Sequence, residues 1–206
     1  MLHPEQHRPR MRLRRSRGSG ALLCLVAALS GGAGASPEDT KRFVEESRKA
    51  STQVLQQIRG ELIKEMENSG PLRAIIVCKY TAPEITSGVS RKTGWRVSRV
   101  SLKARNPALG APDAWEQKTL MEFDQRLNRG EKADTIEHHE YVTEPTGRFF
   151  RYMRAIPTHQ ECLACHGTSL TEAVKAQLAH EYPGDKATGY STGQLRGALT
   201  VKRPLF

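Results

Sequence analysis

The sequence predicts an α+β domain on three observations: a long amphipathic helix comes first, a β-hairpin follows later, and a last strand-like run ends the chain. Helices followed by mostly sequential strands imply an antiparallel sheet with helices to one side. The first helix opens at Ser36-Pro37-Glu38-Asp39, with a capping serine, proline at the first helical position and acids in the first turn. Phe43, Val44, Val54, Leu55, Ile58, Leu62 and Met66 then recur at three- and four-residue steps, while Glu, Lys, Arg and Gln fill the other face. Gly70-Pro71 is the expected end. The run Leu72 to Tyr80 is too short to assign by period, Pro83 stops it, and its composition predicts burial.

Trp95 to Leu102 reads as a half-buried strand with a bulge, broken by Arg105-Asn106-Pro107. Pro112 and Asp113 introduce a helix through Trp115, Leu120, Phe123 and Leu127, closed by Gly130. Glu137 to Thr143 and Arg148 to Ile156 flank the turn residues Glu144-Pro145-Thr146-Gly147 and form the hairpin. A further helix over Leu170 to Tyr182 and a last strand over Leu195 to Arg203 complete the fold.

The first 35 residues read as an export signal. Arg8, Arg10, Arg12, Arg14, Arg15 and Arg17 precede the apolar run Ala21 to Leu29 and the small-residue site Ala33-Gly34-Ala35. Nine apolar residues fall well short of the roughly 20 that cross a bilayer, so a periplasmic product with no transmembrane segment after cleavage is expected. Cys24 lies within the signal core and follows Leu23 instead of a small residue, so it reads as an ordinary apolar signal residue. Met11 is a second candidate start. Losing six Arg and one Glu with this segment lowers the formal charge from +10 to +5. No stretch interleaves aromatics with a basic stripe, so nucleic acid is not an expected partner. Residues 36–206 are long enough for one domain with a single core.

Cys162-Leu163-Ala164-Cys165-His166 carries the chemistry. Two cysteines two residues apart, followed at once by histidine, form a haem c attachment motif. The thiols add across the porphyrin vinyl groups, and the adjacent imidazole comes under the ring to bind iron. The competing readings are a redox-active dithiol, half of a zinc site, and chance. Structural zinc takes four ligands, usually in two paired clusters, and no second cluster exists here. A thioredoxin-like dithiol sits at a helix start beside a βαβ pattern, whereas Pro157, His159 and Gly167 around this pair read as a loop. One covalent haem c is the expected cofactor, with Cys162 and Cys165 as anchors and His166 as an axial ligand.

A haem-bound pair leaves Cys78 without a partner in an oxidising compartment, and burial, pairing with another chain or iron ligation each accounts for it. The residues alone leave the second axial position open among Cys78, Met66, Met121, Met153, His138, His139, His159 and His180. Methionine and histidine are the ordinary partners of a c-type haem. Met66 and Met153 also read as gap-filling core. His138 and His139, as strand neighbours, point to opposite faces and cannot share one ligand position.

Val77-Cys78 with Ala82-Pro83, Arg105-Asn106-Pro107, Trp115-Glu116, the Cys162 to His166 pentapeptide, and Gly189-Tyr190 leading to Arg196-Gly197-Ala198 together carry a family resemblance. The chain resembles the exported mono-haem c-type domains with a PAS-like fold, a family catalogued as a domain of unknown function. Its members occur alone or as the sensing part of bacterial membrane kinases and chemoreceptors. The resemblance covers about residues 38 to 205. It implies a PAS-like antiparallel sheet with a long N-terminal helix and flanking helices, iron held by His166 on one side, and Cys78 as the distal ligand. This sequence has no kinase, methyl-accepting or membrane-spanning portion, so a separate signalling protein or redox partner is expected to read out the haem.

Arg148, Arg151 and Arg154 are candidate propionate partners, and Phe149, Phe150, Tyr152 and Trp95 are candidate walls of the porphyrin site, although solvent exposure and ordinary core packing predict the same residues. Three functional classes follow: a haem protein for redox or gas sensing or for electron transfer, a haem enzyme of peroxidase type recruiting His138, His139 or His159, and a haem-free dithiol exchange protein. Two protein ligands on iron favour the first.

Overall fold

The structure is a computed structural model that describes residues 36–206; the expected export signal and Cys24 lie outside the described residues. Helix α1 (Pro37–Ile76) starts with a capping box, in which Ser36 Oγ accepts the Asp39 N–H at 3.0 Å and the Asp39 carboxylate accepts from the Ser36 N–H. Gly70, at φ +75°, breaks the helical backbone, and helix resumes at once with Pro71. The Gly-Pro pair therefore interrupts the helix where an end was expected, because proline in the first turn of a new helical stretch has no partner to lose.

A π turn (Val77–Thr81) follows, with the Ala82 N–H donated to the Val77 carbonyl, and α2 (Ala82–Thr93) continues directly from it. Pro83, expected to stop the run, instead sits in the first turn of α2, and the wider turn before it accommodates the missing donor. Next come β1 (Arg96–Val100), the single turn α3 (Pro107–Gly110) and α4 (Ala114–Asn128), whose capping box joins Asp113 to Glu116. The hairpin strands β2 (Glu137–Glu144) and β3 (Gly147–Pro157) turn through Pro145-Thr146. The short α5 (Leu163–His166), α6 (Glu172–Glu181) and β4 (Leu195–Leu205) complete the order. The sheet runs β1-β4-β3-β2, antiparallel throughout, and with the long first helix it makes the PAS-like α+β arrangement.

Helices cover both faces of this sheet, where helices to one side were expected. Phe43, Val54 and Ile58 of α1 pack on Phe150, Tyr152, Leu199 and Val201, while Leu120 and Phe123 of α4 pack on Met153, Ala155 and Ala198. The central strands β3 and β4 thus bury successive residues on opposite sides, and two-sided burial erases the alternation that would have revealed it. Strand β1 joins the sheet only through β4, and at its end the chains approach closely. A Cβ on Gly197 would lie 2.4 Å from the Val100 carbonyl oxygen, so only glycine fits there.

Candidate functional site

A cavity of about 480 Å³ lies between α1, the π turn, β1 and the segment after β3, and Cys78, Cys162, Cys165 and His166 all line it. Leu55, Ile58 and Leu62 of α1, with Val100 and Ile156 of the sheet, give it apolar walls. That size falls in the range of cofactor sites, roughly 300–1,000 Å³. Among the described residues no three His, Cys, Asp or Glu side chains converge as a metal-ion cluster. Sulfur and imidazole groups spread along the walls of an apolar cavity suit a flat macrocycle better than a single tetrahedral ion.

Backbone contacts fix the pentapeptide. After β3 the chain makes a tight turn at Gln160–Cys162, with the Cys162 N–H on the His159 carbonyl at 3.1 Å, and then α5. The loop expected from sequence is therefore helical through its second half. Gly167 closes α5 by donating to the Leu163 carbonyl at 2.9 Å, and a Cβ there would meet that same oxygen at 2.6 Å. Gly167→Ala is therefore expected to displace His166 and lower stability by about 2 kcal/mol, measured by urea unfolding; a midpoint equal to wild type would show that the turn yields freely. Tyr190 N–H and Gly189 N–H donate to the His166 and Gly167 carbonyls at 2.9 and 3.0 Å, which ties the pentapeptide to residues 187–190.

His166 is oriented by the Ala187 carbonyl, 2.6 Å from Nδ1. With Nδ1 donating its proton there, Nε2 is left as the unprotonated nitrogen. Burial, reinforced by Arg196 and Arg105, holds the His166 pKa well below the usual imidazole range, so the ring is neutral, as a metal ligand must be. Arg105 braces the same segment. Its guanidinium donates to the Cys165 carbonyl, to the Ala187 carbonyl at 3.2 Å and to Asp185 at 3.1 Å, and both side chains of that ion pair are buried. The Asp185 carboxylate in turn accepts the Ala187 N–H at 2.7 Å.

Cys78 enters from the π turn, held against the pentapeptide side by α6. Ile75 packs with Val174, Leu178 and Tyr182, Cys165 packs against that cluster, and Lys79 pairs with Glu181 at 2.5 Å. Burial pushes the Cys162 thiol up and the Cys165 thiol up to about 11. Thiol exchange needs a thiolate near ambient pH, so these protonated, apolar-walled sulfurs are poor exchange nucleophiles.

The Tll0287-like family model (Tll0287) matches residues 37–204. The chain belongs to the Tll0287-like family. It is similar to the crystal structure of the cyanobacterial heme-protein Tll0287, at 28% identity and a TM-score of 0.62, over 84% of this chain and 98% of that one. Comparison with functionally curated proteins finds no match.

Several residues singled out in the sequence fall elsewhere in this Tll0287-like fold. Arg151 is buried on the α4 face, bound to Asp113 at 2.7 Å, Glu116 at 3.1 Å and Glu144 at 3.4 Å. Arg154 donates to Thr52 at 2.6 Å, and Arg148 is exposed beside the hairpin turn. Phe150 and Tyr152 are core beneath α1, Trp95 packs against that core, and Phe149 lies under Lys202. None of them lines the cavity, which β3 reaches only with Ile156 and Pro157. Of the rival ligands, Met66 and His159 line the cavity. Met153 is core, Met121 and His180 are exposed, and His138 and His139 lie against Trp115 and Phe150. Arg99 and Arg196 also line it, and in the sequence only Arg196 carries a signal, as part of the Arg-Gly-Ala motif.

Proposed function

We propose that the chain is an exported redox-responsive haem protein, a carrier or a sensor, in which Cys162 and Cys165 would hold one haem c through thioethers and His166 and Cys78 would ligate its iron. The observation that carries this reading is the assembly of Cys78, Cys162, Cys165 and His166 around one apolar cavity. Its similarity to a cyanobacterial heme-protein supports it. When bound, the haem supplies a one-electron iron couple, and a thiolate ligand shifts that couple toward ferric iron. The protein's part is placement. Ala187 and Arg105 hold the imidazole in one tautomer, α6 holds the Cys78 turn against the pentapeptide, and the α1 side chains exclude water. A separate redox or signalling protein completes the proposed function in the periplasm.

A peroxidase needs an open distal position with an acid or base beside it. Of the three histidines considered for that work, only His159 lines the cavity. The test is expression of the full sequence in a host with haem c maturation. Intact mass and optical spectra are expected to show one covalent haem and six-coordinate low-spin ferric iron, and the paired Cys162→Ser and Cys165→Ser replacement is expected to abolish attachment. A bare polypeptide mass from wild type overturns the reading, and a high-spin ferric spectrum transfers it to the peroxidase class.

A further inference from the structure

Six cationic side chains line the cavity: Arg59, Lys79, Arg96, Arg99, Arg105 and Arg196. Three are neutralised by carboxylates, Arg59 by Glu161 at 2.7 Å, Lys79 by Glu181 at 2.5 Å and Arg105 by Asp185 at 3.1 Å. Among the described residues Arg96, Arg99 and Arg196 have no carboxylate partner, and of these Arg96 is exposed at the rim. Arg99 and Arg196 belong to the adjacent strands β1 and β4 and are partly buried. Arg99, Arg196 and His166 line the same cavity, so the two guanidiniums share one space with the imidazole.

Among the described residues Arg196 has only neutral acceptors: Ser101 Oγ at 3.0 Å and the Lys103 carbonyl at 3.4 Å from Nη1, and His166 Nε2 at 3.5 Å from Nε. The last contact uses the one nitrogen lone pair of His166 that iron would need, because Nδ1 is committed to Ala187. Iron and Arg196 therefore compete for the same atom. A guanidinium displaced from it needs a new acceptor, and haem brings two. Ferric iron, the porphyrin dianion and one thiolate sum to zero charge, which leaves the two propionates as the uncompensated anions.

We propose that Arg99 and Arg196 bind the two haem propionates, and that Arg196 gives up His166 Nε2 for a propionate when iron takes that nitrogen. This rests on the haem reading above. Arginine forks match carboxylates bidentately, which lets them set the rotational seating of the ring as well as its charge. Strands β1 and β4 hold both forks on rigid backbone, and unlike Arg59 and Arg105 they are not already spent on Glu161 and Asp185.

The test uses the full chain, covalently loaded, as wild type, Arg99→Met and Arg196→Met. Resonance Raman bands of the propionate bends are expected to shift in each variant while the axial-ligand bands stay. Loss of either positive charge is also expected to raise the ferric-to-ferrous ratio at fixed potential by about tenfold. Wild-type propionate bands and a wild-type ratio in both variants overturn the inference, and a response in only one confines the role to that residue. Should the methionine variants fail to load, Arg99→Lys and Arg196→Lys keep the charge and lose the fork. Shifted propionate bands in those variants sustain the assignment, and unshifted bands defeat it. Wild type without haem would instead bring down the parent reading, and the loaded control keeps the two failures apart.

Discussion

Cys78→Ser is expected to remove the thiolate signature from the ferric spectrum and raise the reduction potential by on the order of 100 mV, while haem stays attached at Cys162 and Cys165. Axial ligands move haem potentials over roughly 0.8 V, so the exchange of a thiolate for a weaker donor falls well inside that range. At about 59 mV per decade it amounts to a shift of about fiftyfold in the one-electron equilibrium. Serine is nearly the size of cysteine and the position is only partly buried, so far-ultraviolet circular dichroism should match wild type. Met66 and His159 also line the cavity, and a spectrum typical of either in the variant would show which one takes the position Cys78 leaves. An unchanged ferric spectrum removes Cys78 from the iron.

Arg105→Met is expected to cost about 3 kcal/mol of stability before any haem is attached, because it strands Asp185 as a buried, unpaired carboxylate and strips a donor from the Cys165 and Ala187 carbonyls. For a domain of this size that corresponds to a fall in Tm of roughly 6–12 °C. Arg105→Lys should recover little, since one ammonium cannot span three acceptors. Adding Asp185→Asn to Arg105→Met should restore part of the loss by removing the stranded charge. Thermal unfolding of the four proteins decides it: a single-variant loss under about 1 kcal/mol, or no recovery in the double variant, would show that the buried pair does not hold the segment together.

Much of the architecture is legible from local chemistry. Ser36 and Asp39 announce the start of α1, Asp113 and Glu116 the start of α4, and Pro145-Thr146-Gly147 the hairpin, because caps and turns are read by neighbours three or fewer residues away. Gly70 to Thr93 is the least legible stretch. Gly70, Pro71 and Pro83 each read as breakers, and only the three-dimensional chain shows that both prolines fall where a helix begins and so have no hydrogen bond to lose. The pentapeptide announced itself by spacing, and Cys78 by family resemblance. What surrounds them did not: Leu55, Ile58 and Leu62 are ordinary helix-stripe residues until α1 is seen to roof the cavity with its middle turns. The aromatic run of β3 misled for the opposite reason. Composition attracts attention to Phe149, Phe150 and Tyr152, yet strand direction alone decides that Ile156 and Pro157 reach the site.

The π turn gives the sulfur at position 78 its address on the cavity wall. Around a helix each step along the chain swings a side chain by about 100°. Val77, one step back, is packed into the interior, and Lys79, one step forward, is bound to Glu181. Transplanting the cysteine to 77 would therefore aim it at the hydrophobic interior, and deleting one residue between Val77 and Thr81 would spin α2 while leaving composition almost intact. The place of Cys78 on the cavity wall is thus written in a single surplus residue of backbone, a form of encoding that tolerates many substitutions around it and no frame slip.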